Sequence, residues 1–223
     1  MEKMPAWADV VLVPLISLLL AAAISALVIM GIGEDPMAAV KMMVSGALGS
    51  TYGWGYTLYY ATNFMFTGLA VSVAFHAKMF NIGGEGQAMI GGLGVALMAL
   101  FIPWQHWSLA LIFCSIGGAV FGALWALIPA ILQAKRGSHI VITTIMFNFM
   151  AAALLNYLLV SILRPVKSMD PATASFPEPT HLPTLHDILM PLGIEFSKSA
   201  PANVSLLLAL AAAVFVWVLI WRT

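Results

Sequence analysis

Six times along this 223-residue chain, between 17 and 26 residues pass without a charged side chain: 10–32, 54–75, 86–102, 107–132, 140–163 and 204–221. A helix needs about 20 apolar residues to cross the roughly 30 Å hydrocarbon core of a bilayer. In lipid, only helices and closed barrels satisfy all their backbone groups, and these runs are too long for barrel strands. The expected fold is therefore all-α, a polytopic transmembrane helix bundle of about six spans forming one domain over 1–223. Charged residues make up 8% of the chain against about 25% in soluble domains, which points the same way. The formal net charge is zero, which gives no electrostatic footprint for nucleic acid.

The segments between the spans set the topology. The first apolar run is longer than a signal-peptide core, and Glu2, Lys3 and Asp9 before it are not clearly positive, so it reads as an uncleaved helix. Glu34, Asp35 and Pro36 end it. Residues 37–49 read as a short amphipathic piece with Lys41 on its polar side, and Gly46, Gly49, Gly53 and Gly55 mark a loosened connection. Residues 164–201 are polar and proline-rich, as expected of a long extracytoplasmic loop with one short helix at Leu185–Leu189. With the amino terminus cytoplasmic, Lys3, Lys78, Lys135, Arg136 and Arg222 fall inside and the short outer connections carry only Lys41. Cytoplasmic loops carry the excess of Lys and Arg, so both termini are placed inside.

Catalytic signatures are missing. There is no H-E-x-x-H, no G-x-S-x-G, no phosphate-binding G-x-x-x-x-G-K-S/T and no dinucleotide fingerprint. The single cysteine, Cys114, excludes an internal disulfide and a cysteine-based zinc site. His181 and His186 are five apart in the proline-rich loop and read as solvated. No metal, no cofactor and no enzymatic activity are expected of this chain.

The polar exceptions inside the apolar runs carry the functional reading. Phe80-Asn81-Ile82-Gly83-Gly84-Glu85-Gly86-Gln87 separates the second and third spans and holds the only carboxylate between Asp35 and Asp170. On one reading Asn81 caps the third helix and Glu85 sits in its first turn, where the helix dipole favours a carboxylate. On the other the break reaches into the membrane and lines a polar path, since Gly-interrupted apolar segments point to transporter sites. Charge counting puts the break at the cytoplasmic boundary; the glycines and the short third span favour the bilayer interior. Both remain open at this level. Thr144 and Asn148 are four apart and share a helix face, and Asn63 is a further amide in the second span. Asn63, Asn81, Glu85, Gln87, Thr144 and Asn148 are thus the candidates for a solute pathway. Gly118, Gly122 and Ala126 recur at four-residue spacing, a stripe suited to close helix packing.

The Phe80–Gln87 string resembles the F-N-I-G-x-E-G-Q signature of permease subunits of ATP-binding-cassette importers, in the branch for simple sugars and nucleosides. That branch is related to the ribose and branched-chain amino acid permeases. Thr144-Ile145-Met146-Phe147-Asn148 resembles the T-I-M-x-N that closes the branch's second signature. The order of first helix, broken pair, basic loop, second signature and long proline-rich outer loop also matches over nearly the whole chain. Many relatives carry a Glu where this chain has Ile140, so any role of that acid is missing. The resemblance implies a multi-pass subunit of a bacterial inner membrane that moves a nucleoside or simple sugar by alternating access. It also implies an ATPase subunit that hydrolyses ATP, a second homologous permease subunit and an extracytoplasmic solute-binding protein. Relatives continue beyond a sixth-span-like helix into a coupling segment and further spans, so this chain is expected to be an amino-terminal portion. Two other functions are set beside this one: an ion-coupled secondary transporter, for which Glu85 alone could serve, and an accessory membrane subunit that only packs helices.

Overall fold

The computed structural model describes residues 8–222. Glu2 and Lys3, on which the orientation partly rests, lie outside them. Eight α-helices follow in order: α1 Val13–Gly31, α2 Pro36–Leu48, α3 Thr51–His76, α4 Gly84–Phe101, α5 Trp107–Arg136, α6 Ile140–Ser161, α7 Leu185–Leu189 and α8 Ser205–Arg222. A π-turn, Ala8–Leu12, precedes α1. Six of the eight, namely α1, α3, α4, α5, α6 and α8, are long and apolar enough to cross a membrane. Among the described residues the only extended pairing is an isolated bridge between Thr184 and Asn203. This is the all-α bundle of membrane spans that the uncharged runs require.

The chain divides at Thr57 into two compact units, and α3 is the element that passes from one to the other. In the first unit, Gly33 takes the left-handed turn after α1 (φ +89°). Asp35 caps α2 by accepting the Met37 N–H (2.9 Å), with Pro36 in the first helical position, where its missing N–H is harmless. The expected loose connection shrinks to Gly49 and Ser50. The Ser50 hydroxyl accepts the Gly53 N–H (3.0 Å), so α3 starts at Thr51 and runs straight through Gly53 and Gly55. Of the four glycines that mark a loosened connection in the sequence, Gly46 lies within α2, Gly49 closes it, and the serine cap takes Gly53 and Gly55 into α3.

The second unit is organised around α4, α5 and α6, which pack on one another, α4 most extensively on α5. The contact is made by backbones. A Cβ on Gly94 would sit 2.5 Å from the Gly117 carbonyl oxygen, and one on Gly118 would sit 3.0 Å from Val95 Cγ2. Lipid tails give apolar helices no hydrophobic reason to associate, so close van der Waals approach of small residues is what holds such a pair. The helix α5 runs one turn beyond its apolar stretch. Lys135 and Arg136 sit in that last turn, where the helix dipole favours cations, and Gly137 ends it in the left-handed conformation (φ +66°).

Residues between α6 and α8 form an ordered loop. Thr184 and Asp187 make a reciprocal capping box at α7. The Leu185 N–H donates to the Ala202 carbonyl (2.8 Å) and the Val204 N–H to that of Pro183 (3.2 Å). His186 Nδ1 contacts the Phe196 carbonyl (2.7 Å) and His181 Nε2 that of Phe176 (3.1 Å), so the loop histidines tie down local backbone. The exposed Asp187 carboxylate is held below its usual pKa by the Thr184 hydroxyl first and the Thr184 amide second.

Candidate functional site

The site begins where α3 ends. Lys78 adopts a left-handed conformation (φ +57°), which costs a non-glycine residue about 1 kcal/mol or more, and it turns the chain back toward α4. Its N–H donates to the Phe75 carbonyl (2.9 Å) and the Met79 N–H to that of Ala74 (3.0 Å), closing α3.

The first N–H groups of α4 have no partner within their own helix and must find one elsewhere. Gly83, in the cap position, offers no side chain. Two asparagines stand in. Asn81 Oδ1 accepts the Gly83 N–H (2.8 Å), while its Nδ2 donates to Gln87 Oε1 (3.2 Å) and Gln87 Nε2 returns to Asn81 Oδ1 (3.4 Å). Asn148, on α6, accepts the Gly86 N–H through Oδ1 (2.9 Å) and donates from Nδ2 to the Ile82 carbonyl (3.0 Å). Asn81 therefore shapes the turn before the helix rather than capping it, and the cap comes from a residue 62 positions away. The N–H groups of Gly84 and Glu85 have no protein acceptor among the described residues.

Gly86 makes this approach possible. A Cβ there would lie 2.9 Å from Asn148 Oδ1 and 3.1 Å from both Asn148 Cα and the Phe147 carbonyl oxygen. Thr144 backs the same turn: it is 2% exposed, its hydroxyl returns to the Ile140 carbonyl (2.8 Å), and its Cβ would be 3.0 Å from a Cβ on Gly83. Trp125 on α5 completes the support. Its indole N–H donates to the Phe147 carbonyl (3.3 Å), and the Trp125 and Phe147 rings meet edge to face at 5.3 Å.

The longest helix marks where the break lies along the packed helices. A Cβ on Gly122 would lie 3.3 Å from the Gln87 carbonyl oxygen. Gly122 is the midpoint of α5, about 22 Å from either end at 1.5 Å per residue. The first turn of α4 thus stands opposite the middle of the 30-residue α5. From there α4 runs about 27 Å at 1.5 Å per residue, close to the thickness of a hydrocarbon core, while α5 is about 45 Å long. Five residues of non-helical chain, 79–83, separate Lys78 from α4.

A cavity of about 540 Å³ opens between α3 and this turn, lined by Phe66, Thr67, Ala70, Val71, Asn81, Gly84, Glu85, Gln87 and Ala88. Its volume is in the range of small-molecule sites, which are mostly apolar with a few placed polar groups. Glu85 is exposed and has no hydrogen-bond or ion-pair partner among the described residues. A smaller cavity of about 310 Å³ continues past Glu85 along Val71, Phe75, Met79 and Phe80.

The six pathway candidates therefore separate. Asn81, Glu85 and Gln87 line the main cavity. Thr144 and Asn148 stand behind the break on α6 and line neither cavity. Asn63 is exposed on α3 and donates to the Tyr59 carbonyl one turn earlier (3.2 Å), rather than to another helix. Gly118 and Gly122 face α4, at Val95 and at the Gln87 carbonyl. The close approach of Gly117 to Gly94, between α5 and α4, lies one residue off the four-residue row and carries no separate signal in the sequence.

A family described as the branched-chain amino acid transport system / permease component matches residues 53–223. A glucose ABC transporter permease protein of Haloferax volcanii is 32% identical over 210 residues, which are 94% of this chain and 55% of that protein. A guanosine ABC transporter permease protein of Bacillus subtilis is 32% identical over 214 residues, 94% of this chain and 57% of its own length. A nucleoside ABC transporter permease protein of Lactococcus lactis is 34% identical over 163 residues, 73% of this chain and 45% of its own. The chain thus spans about half the length of the curated relatives it matches. No solved structure matches it.

Proposed function

The chain belongs to the permease-component family of branched-chain amino acid transport systems, and from that premise we propose that it supplies part of the membrane pathway of an ATP-driven importer. The solute is a nucleoside or simple sugar, the two classes in the names of its relatives. The observation that carries this reading is Glu85: a carboxylate without a protein partner among the described residues, on a cavity beside the break between two membrane spans. Ionisable groups within membrane segments are expensive, and they face pathways or partners rather than lipid.

The chemistry suits a neutral, hydroxyl-bearing solute. An ionised carboxylate only accepts hydrogen bonds, and free backbone N–H groups only donate. Glu85 with the Gly84 and Glu85 amides offers both kinds of partner to hydroxyls that also do both. Phe66, Ala70, Val71 and Ala88 supply apolar walls for the solute's less polar face. Asn81 and Gln87 are mainly bonded to each other, so they hold the rim and leave the contacts to Glu85 and the helix end. Alternating access then consists of exposing this cavity first to one side and then to the other. The ATP that drives it is hydrolysed on a separate ATPase subunit. A second permease subunit faces the cavity and a solute-binding protein delivers the solute from outside.

The test is uptake of labelled nucleoside and of labelled sugar by cells carrying the intact importer. Glu85→Ala at normal membrane abundance is expected to reduce uptake of the transported solute about tenfold or more, the order expected when a buried polar contact is lost. Loss of the cognate ATPase is expected to abolish it. Undiminished uptake by Glu85→Ala, or uptake that ignores the ATPase and collapses with the proton gradient, contradicts the reading.

A further inference from the structure

We propose that Asn148 is a positioning residue that never touches the solute: it caps α4 from across the bundle and fixes the break to α6. The inference rests on the transport reading above for its consequence, but on hydrogen-bond geometry for its content. The Gly86 N–H is buried and needs a protein acceptor, and the residue at the cap position of α4 is a glycine with nothing to offer. Asn148 does from 62 residues away what a Ser or Asp cap does locally, accepting the Gly86 N–H at 2.9 Å. Its other amide face holds the Ile82 carbonyl at 3.0 Å, on the far side of the turn. One side chain therefore joins the residues just before and just after the start of α4. An amide suits this task, because it presents an acceptor and a donor on one rigid plane.

Position excludes solute contact. Asn148 lies behind the turn and lines neither the 540 Å³ nor the 310 Å³ cavity, while Gly84, Glu85 and Asn81 line both. The Gly86 approach and the Trp125–Phe147 bond lock the same stretch of α6 to α4 and α5. The three helices carry the break as one body, whereas α3, the opposite wall, packs only slightly on them. Displacement of α6 is thereby transmitted to the Glu85 turn, and Asn148 sets how fast the cavity is presented, not what it selects.

Two measurements test this on the intact importer in lipid nanodiscs. Amide hydrogen exchange of the native protein is expected to show Gly86 protected relative to Gly84 and Glu85, and Asn148→Ala is expected to speed Gly86 exchange about fivefold. In transport, Asn148→Ala is expected to lower the maximal rate for every transported solute by one common factor, with KM ratios between solutes unchanged. Asn148→Asp, which keeps the acceptor for Gly86, is expected to restore part of the rate. An unprotected Gly86 amide in the native protein, or a change in solute preference on substituting Asn148, overturns the assignment. The native exchange pattern needs no variant and so survives any failure of one to assemble. Protection at Gly86 in a protein that moves no solute would remove the transport reading and leave the cap in place.

Discussion

Gly86→Ala is the sharpest perturbation the packing offers. Its new methyl group would meet Asn148 Oδ1 at 2.9 Å, Asn148 Cα at 3.1 Å and the Phe147 carbonyl oxygen at 3.1 Å. Two of those three atoms are backbone of a regular helix, so relief requires α4 and α6 to part by several tenths of an ångström. Overpacking of this kind costs about 1–3 kcal/mol. The same displacement stretches the Asn148–Gly86 bond, for about 1 kcal/mol more. The total expected loss is about 2–4 kcal/mol, a large share of a membrane domain's margin. Gly84→Ala is the control: nothing lies within 4 Å of its Cβ position, and alanine is the better helix former by about 0.5–1 kcal/mol. Equilibrium unfolding in mixed micelles, titrated with a denaturing detergent, should place Gly86→Ala well below the native protein and Gly84→Ala at or above it. Equal stability of the two variants would refute the close approach of α4 to α6, and with it the account of how the break is held.

Two further outcomes are expected. Gly94→Ala puts a methyl group 2.5 Å from the Gly117 carbonyl oxygen and should destabilise the α4–α5 pair by about 1–3 kcal/mol in the same unfolding assay, more than Gly92→Ala, which meets nothing within 4 Å. In the loop between α6 and α8, Asp187 is held below its usual pKa by Thr184, so its contribution to the capping box is present above the ordinary carboxylate value of 3.8 and lost as pH falls through the lowered folded value. Carboxyl-carbon NMR of the labelled protein should give Asp187 a midpoint below 3.8, rising toward it in Thr184→Ala; an unchanged midpoint would remove the hydroxyl as its cause.

What could be read from the sequence and what could not divides along physical lines. The number of the spans follows from uncharged length alone, because the bilayer imposes a fixed thickness on any helix crossing it. The helix Leu185–Leu189 was legible because its capping box is local in sequence. The early start of α3 was obscured by four glycines, although the Ser50 cap that overrides them is a single-residue signal. The charges at Lys135 and Arg136 ended the apolar run but not α5, since cations in a last turn favour the helix they close. Asn148 and Thr144 were visible as polar residues on one face, but not their task, because a cap supplied 62 residues away leaves no spacing to recognise. The position of the break along α5 was hidden for the same reason: it is set by which residue of α5 lies beside Gln87.

The central claim is that the Glu85 turn borders a water-accessible solute cavity. Ala88 lines that cavity, is exposed, and lies one turn from Glu85. The most direct measurement is labelling of Ala88→Cys, with the native Cys114 replaced, by a membrane-impermeant thiol reagent in the assembled importer. The account predicts that the new cysteine reacts and that saturating transported solute slows the reaction several-fold. Reaction only with lipid-soluble reagents, or at a rate indifferent to solute, would contradict it.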